Sequence, residues 1–285
     1  MATILFDGVA YGMLLFVLAA GLAVTLGLMN FVNLAHGAFA MAGGYATVLL
    51  MDNWHVPFIA TLPVAFLLPA AIGLVLERTL YRHMYGRSPL DQVLFSIGLV
   101  FMAVAAADYF LGSSQRNVHL PAWLQGRQEI LGVNVGLYRA FIIVLCGVLV
   151  LALQAGLMKT RFGSRLRAAV DDARVARGLG IPVGMVFAIT FAVGSGLAGL
   201  GGALGTELLG IDPYFPLKFM IYFLIVVTVG GTSGILGPFV ASLLLGIADV
   251  AGKYYLSSAL GGFVIYLVLI AVLVLRPNGL FSRSR

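Results

Sequence analysis

Charge is scarce in this chain: Asp, Glu, Lys and Arg together make up 10% of its 285 residues. A soluble domain carries about 25%, so an ordinary globular class is excluded. Cysteine is scarcer still. The single Cys146, inside the apolar run YRAFIIVLCGVLVLALQ, rules out an intrachain disulfide framework and a cysteine metal centre, and reads as a small packing or lipid-facing residue. No cluster of His, Asp or Glu falls at ligand spacing on one helix face, which leaves no metal site and no catalytic residue to name and argues against a membrane enzyme. Nor is there a linker or a change of composition along the chain, so residues 1–285 read as one membrane domain.

Apolar residues are abundant. With 61% hydrophobic residues, 36 glycines and a mean hydropathy of +1.05, the chain reads as an all-α, polytopic integral membrane protein. Its formal charge of +6 therefore does not point to nucleic acid, because basic residues in a membrane protein mark its cytoplasmic face. The opening MATILFDGVAYGMLLFVLAAGLAVTLGLM lacks the positive n-region and short h-region of a cleaved signal, and is expected to stay as the first transmembrane helix.

A bilayer core of about 30 Å needs about 20 apolar residues at about 1.5 Å each. Runs of this kind occur at 7–29, 34–51, 57–80, 91–111, 138–157, 183–205, 217–230, 238–256 and 262–275, which gives eight or nine transmembrane helices, some of them broken. The count depends on 34–51. A full crossing gives nine spans and an external N-terminus, whereas a broken or re-entrant element gives eight and an internal one. SPLD at 88–91 carries a capping serine, a proline at the first helical position and a carboxylate three residues after the cap, so a helix is expected to start there. Arg78, Arg82 and Arg87 form one basic cluster, Lys159 to Arg177 holds a second, and Arg276, Arg283 and Arg285 form a third. Most of the 17 basic residues lie in these three places, which puts the clusters and the C-terminus on the cytoplasmic side. The loop 112–136 is then external, with room for a short interfacial helix near 121–124.

The stretch KTRFGSRLRAAVDDARVARGLGIPV interrupts this oily chain with eight charged residues in fewer than twenty positions. Leu166, Ala169, Val170, Ala173 and Ala176 follow helical spacing on one face, with Arg165, Arg167, Asp171, Asp172 and Arg174 on the others. A helix over about 164–177 would be about 20 Å long, too short and too charged to span. Its apolar stripe is mostly alanine, which suits close packing on protein better than sinking into lipid. Read physically it is a solvated connector, a contact for anionic lipid, or an element that docks into a groove of a cytoplasmic partner, and the mixed charge favours the last of the two contacts.

RFGSRLRAAVDDARVARGLGIPVGMVFAITFAVGSGLAGLGGALGTE resembles the core of the permease subunits of branched-chain amino-acid ABC importers. Three further blocks agree in order: MNFVNLAHGAFAMAGGYA; VLERTLYRHMYGRSPLDQVLFSIGLVFM; and FMIYFLIVVTVGGTSGILGPFVASLLLGIADV with the closing LRPNGLF. Each block alone is a weak signal and their joint order is specific, covering most of the chain.

The resemblance implies a multi-pass protein of a bacterial-type cytoplasmic (inner) membrane. Its partners would be two cytoplasmic ATP-binding subunits, a second and related permease subunit, and an extracytoplasmic substrate-binding protein. The charged helix becomes the coupling helix, with Arg165, Leu166, Arg167, Ala169, Val170, Asp171, Ala173 and Arg174 engaging the ATPase. This chain carries no G-x-x-x-x-G-K-[ST] loop, since Gly252-Lys253 is followed by Tyr254 and lacks the upstream glycine. It is therefore not itself an enzyme and binds no cofactor; ATP and Mg are expected at the partner ATPases.

The family's Asn-x-Ala-His-Gly segment falls on Asn33, Ala35, His36 and Gly37. Polar groups at membrane depth tend to face a cavity, which makes Asn30, Asn33 and His36 pathway candidates, although Asn33 also suits a helix cap and His36 a carbonyl partner. Thr228, Thr232 and Ser233 would bring hydroxyls to a helix break in VGGTSGILGP. Glu207 and Asp212 are candidates for docking the binding protein, and Asp108, Glu207 and Asp249 are expected to be exposed near external helix ends. Ala38 stands where the family carries an acidic or polar residue, which removes one ammonium partner and keeps urea, a short amide or an aromatic acid open as substrates beside a branched-chain or other neutral amino acid. A self-sufficient channel or secondary carrier, with the charged helix a mere connector, is the contrasting reading.

Overall fold

The computed structural model describes residues 1–281 except Asn30, Val32, Leu131, Gly132, Thr232, Ser233 and Ser257. The apolar runs fold as helices α1 (Ala2–Met29), α2 (His36–Trp54), α3 (Phe58–Thr79), α4 (Pro89–Leu111) and α5 (Leu137–Lys159). The charged stretch forms α6 (Arg161–Asp171) and α7 (Ala173–Gly178). The remaining helices are α8 (Val183–Leu209), α9 (Phe215–Gly230), α10 (Leu236–Tyr255), α11 (Ser258–Gly261) and α12 (Val264–Leu275). Among the described residues, 6 helices are long and apolar enough to cross a membrane, namely α1, α3, α4, α5, α8 and α10, and α9 and α12 are shorter apolar helices. The polytopic all-α architecture is the one expected.

Local signals explain several boundaries. At the start of α4 the Ser88 hydroxyl accepts from the Asp91 amide at 3.2 Å and the Asp91 carboxylate accepts from the Ser88 amide at 3.3 Å, so the expected capping box forms with Pro89 at the first helical position. The segment 34–51 folds as the uninterrupted α2 from His36 onward, with most of its first thirteen residues buried among other helices, although α2 is not among the 6 helices long and apolar enough to cross.

Helices α1 and α8 form the interior, with 78% and 67% of their apolar windows covered, whereas α4 and α5, at 22% and 17%, lie on the outside. What lets α8 sit so deep is glycine. A side chain at Gly202 would run into the carbonyl of Ala40, and one at Gly43 into the backbone of Gly199, so α2 and α8 touch backbone to backbone. Close packing is thus the role of Gly43, Gly199 and Gly202.

The loop 112–136 holds the expected short turn of helix at Ala122–Leu124 and, unexpectedly, a hairpin of strands β1 (Arg127–Ile130) and β2 (Val133–Gly136) paired antiparallel with Gln128 opposite Val135. An ion pair between Arg139 and Asp7 ties the start of α5 to the start of α1, so the hairpin and the first turns of α1 share one end of the molecule. At the opposite end the closing turn folds back on α9, with the Leu280 amide donating to Val229 at 2.8 Å and Gly279 in the left-handed region at φ 85°.

Candidate functional site

The expected single helix over 164–177 is two. Asp172 is extended, at φ −151° and ψ 102°, and its carboxylate accepts from the amides of Arg174 at 2.7 Å and Val175 at 3.0 Å. Aspartate stabilises a helix start better than a helix interior, so the chain breaks there and α7 begins anew. Thr160 does the same for α6 by accepting from the Gly163 amide at 3.1 Å.

The small-residue face of this pair is not free for docking. Leu166 and Ala169 are fully covered by the chain itself: Leu166 enters a cleft between α5 and α8 with Leu157, Thr190 and Val193, and Ala169 packs with Ala176 and Val183. Arg167 donates to the carbonyl of Leu157 and pins α6 to the end of α5. The outward side is mostly charge, since Arg165, Arg167, Asp171, Asp172, Arg174 and Arg177 are all exposed, with Val175 exposed among them. Val170 and Ala173 are half-buried and line a cavity of about 580 Å³ together with Glu77, Arg82, Tyr85 and Phe187. The basic clusters Arg78–Arg87 and Lys159–Arg177 therefore meet at one end.

Above that cavity lies a polar and aromatic knot that sequence reasoning missed. Glu77 is buried at the end of α3 and accepts from the Tyr85 hydroxyl at 2.9 Å; its other oxygen lies 3.9 Å from Arg78 Nε, too far for a hydrogen bond. Tyr81, also fully buried, donates to Asn33 Oδ1 at 3.0 Å and sets its ring among Phe31, Phe95 and Phe191. Burial holds both phenols above their ordinary range, and for Tyr85 the neighbouring Glu77 adds to it, so each stays a neutral donor. The spacing of four between Glu77, Tyr81 and Tyr85 was the available signal.

The pathway candidates scatter. Asn33 is buried and accepts from the Ala35 amide at 3.1 Å as well as from Tyr81, so both contacts on its carbonyl oxygen are internal. His36 is equally buried, its Nε2 2.9 Å from the Leu18 carbonyl and its ring edge-on to Phe223. Both residues knit the start of α2 to its neighbours: His36 takes the carbonyl partner weighed for it above, whereas Asn33 is not the helix cap, because α2 begins at His36 with Ala35 at the cap position and no side-chain capping bond. Thr228 is exposed on the outer surface of α9. Asn30, Thr232 and Ser233 lie outside the described residues.

At the hairpin end, Glu207 and Asp108 are exposed, as expected. Asp212 is not a free docking group: only 7% exposed, it accepts from the Tyr214 amide at 2.8 Å and pairs with Lys218, fixing the entry into α9. Asp249 also departs from expectation, being 1% exposed although it lies near the end of α10.

The family described as "Branched-chain amino acid transport system / permease component" matches residues 4–273. The chain is similar to the high-affinity branched-chain amino acid transport system permease protein LivH of Escherichia coli, at 28% identity covering 98% of this chain and 94% of that protein. It is 29% identical to a probable LivH of Methanocaldococcus jannaschii, with 97% and 91% covered, and 26% identical to BraD of Pseudomonas aeruginosa, with 98% and 95% covered. No solved structure matches.

Proposed function

The chain belongs to the family of permease components of branched-chain amino acid transport systems, and from that membership we propose that it is the membrane subunit of an ATP-driven importer of branched-chain or other neutral amino acids. Two ATP-binding subunits on the side of α6 and α7, a second permease chain and an extracytoplasmic binding protein complete the proposed assembly. ATP and Mg belong to the ATPase subunits, and the whole of this chain acts as one permease domain with its C-terminus on their side.

The observation that carries this reading is the seating of α6 and α7. Their apolar side is locked to α5 and α8 through Leu166, Ala169 and the Arg167 bond to Leu157, while Arg165, Asp171 and Arg174 face outward as a charged handle. A plain solvated connector has no need of such anchoring. Force applied to the outward charges passes to the end of α5 and, through Pro182 and Val183, to α8, the helix on which α1, α2 and α3 pack. Movement of α8 against those helices opens the way alternately to either side.

Reconstitution in liposomes tests it. Uptake of radiolabelled leucine is expected only when the ATPase subunits, internal ATP and the binding protein are all present. Leucine flux through this chain alone would assign it to the self-sufficient channels or carriers. An intact ATP-dependent uptake of urea or an aromatic acid without leucine would move the substrate and keep the architecture.

A further inference from the structure

At the hairpin end, α1 and α10 approach as closely as backbones can. A side chain at Gly8 would meet Ile247 Cα at 2.7 Å, one at Gly12 the carbonyl of Ser242 at 2.7 Å, and Gly246 lies against Gly12 in turn. This contact brings Asp7 and Tyr11 of α1 beside Asp249 and Lys253 of α10, and the start of α5 adds Arg139. Two adjoining cavities open there. One, of about 180 Å³, is lined by Asp7, Tyr11, Arg139, Asp249, Lys253 and the apolar Leu208, Leu209 and Val250. The other, of about 260 Å³, shares Asp7, Arg139 and Leu208 and continues past Glu207 under the hairpin.

Asp249 is the feature that needs an explanation. Its carboxylate is buried, and Lys253 satisfies only one oxygen, at 2.6 Å, leaving Oδ1 without a hydrogen-bond partner among the described residues while Asp249 lines the smaller cavity. A buried carboxylate oxygen whose lone pairs meet no donor is costly and calls for one. The pairs Asp7 with Arg139 and Asp249 with Lys253 make that cavity neutral overall. It holds separated charges of both signs beside an aliphatic wall. A free cation or a free anion would upset that balance, whereas a zwitterion keeps it. The volume is below the roughly 300–1,000 Å³ of drug-sized sites, so the occupant is one small molecule.

We propose that this vestibule between α1, α5 and α10 is a binding site for a zwitterionic aliphatic amino acid, its ammonium donating to Asp249 Oδ1, its carboxylate meeting Arg139, and its side chain resting on Leu208, Leu209 and Val250. The proposal rests on the amino-acid reading above and adds to it a place on this chain where the solute is held. Lys253, with 43% of its side chain exposed and its ammonium 5.6 Å from the centre of the Tyr11 ring, stands at the rim and closes the site when empty.

The test is binding of radiolabelled leucine to the purified transport complex in nanodiscs, without binding protein or nucleotide. Asp249→Asn should weaken binding about 10- to 100-fold, the value of a hydrogen bond to a charged group. Val250→Phe, which fills the cavity and leaves every charge in place, should abolish binding even if Asp249→Asn fails to assemble. Isoamylamine and isocaproate, each lacking one charge, should not compete. Leucine binding unchanged in both variants overturns the site. So does an absence of leucine binding to the wild type while ATP-driven leucine uptake proceeds, and in that case the transport reading stands. A loss of affinity for the binding protein rather than for leucine would reassign Asp249 to protein docking. Failure of the complete system to move leucine at all would remove the amino-acid reading and this proposal with it.

Discussion

Removing either partner of the Asn33–Tyr81 hydrogen bond should have unequal consequences, because the two leave different groups unpaired. In Tyr81→Phe the hydroxyl disappears and Asn33 Oδ1 still accepts from the Ala35 amide at 3.1 Å, so no buried polar group is orphaned. The loss is one net hydrogen bond, about 1 kcal/mol. In Asn33→Ala two buried donors, the Tyr81 hydroxyl and the Ala35 amide, lose their acceptor together. At about 1–3 kcal/mol for each, the cost is about 2–6 kcal/mol. With a shift of about 2–4 °C per kcal/mol for a chain of this size, Tyr81→Phe should lower the unfolding midpoint by a few degrees and Asn33→Ala by several times that. The protein carries its own reporter: its one cysteine, Cys146, is fully buried in α5, so a thiol-reactive fluorogenic maleimide signals only unfolding. Midpoints measured in detergent for both variants decide the matter. An Asn33→Ala protein no less stable than Tyr81→Phe would refute the claim that Asn33 serves as a shared acceptor.

The outward charge of α7 yields a second prediction: Arg174→Glu should abolish substrate-stimulated ATP hydrolysis by the reconstituted complex while leaving the unfolding midpoint unchanged, since Arg174 is exposed and only its backbone is held. Unchanged hydrolysis would detach α7 from the ATPase. Asp172→Ala should remove the cap of α7, at a cost of about 1 kcal/mol, and speed hydrogen exchange at the amides of Arg174 and Val175, which can be followed by mass spectrometry. Gly202→Val should prevent accumulation of folded protein in membranes, because the new side chain meets the Ala40 carbonyl. Gly147→Ala on α5, where nothing lies within 4 Å, should be tolerated or stabilise by up to about 1 kcal/mol; comparable yields for the two glycine variants would contradict the packing of α2 on α8.

Helix positions were legible because burial in lipid demands long apolar runs, and the start of α4 because Ser88 and Asp91 form a cap wholly within four residues. The break at Asp172 was not legible, since the helical periodicity continues through it and the carboxylate becomes a cap only once α7 turns toward Pro182. The hairpin was hidden for a related reason: four-residue strands in a polar loop carry little hydrophobic alternation. Asp249 illustrates the limit most directly. Its place near a helix end suggests exposure, and only the contact of Gly8 and Gly12 with α10, which joins residues far apart in sequence, reveals that α1 covers it. The coupling role proposed for α6 and α7 came from the resemblance; the direction in which their small residues face came from the fold.

The contact of α8 with α2 also has a mechanical side. Where Gly43 meets Gly199 and Gly202 meets Ala40, no side chain projects from one helix into a notch of the other. Interlocked side chains act as teeth, and sliding past them requires torsions to cross barriers one after another. The backbones in contact at these glycines carry no such teeth, so resistance to a shift of α8 along α2 falls to side chains elsewhere on the seam, such as Phe39 set edge-on against Phe191, and a methyl group added at Gly43 or Gly202 would put a tooth where there is none.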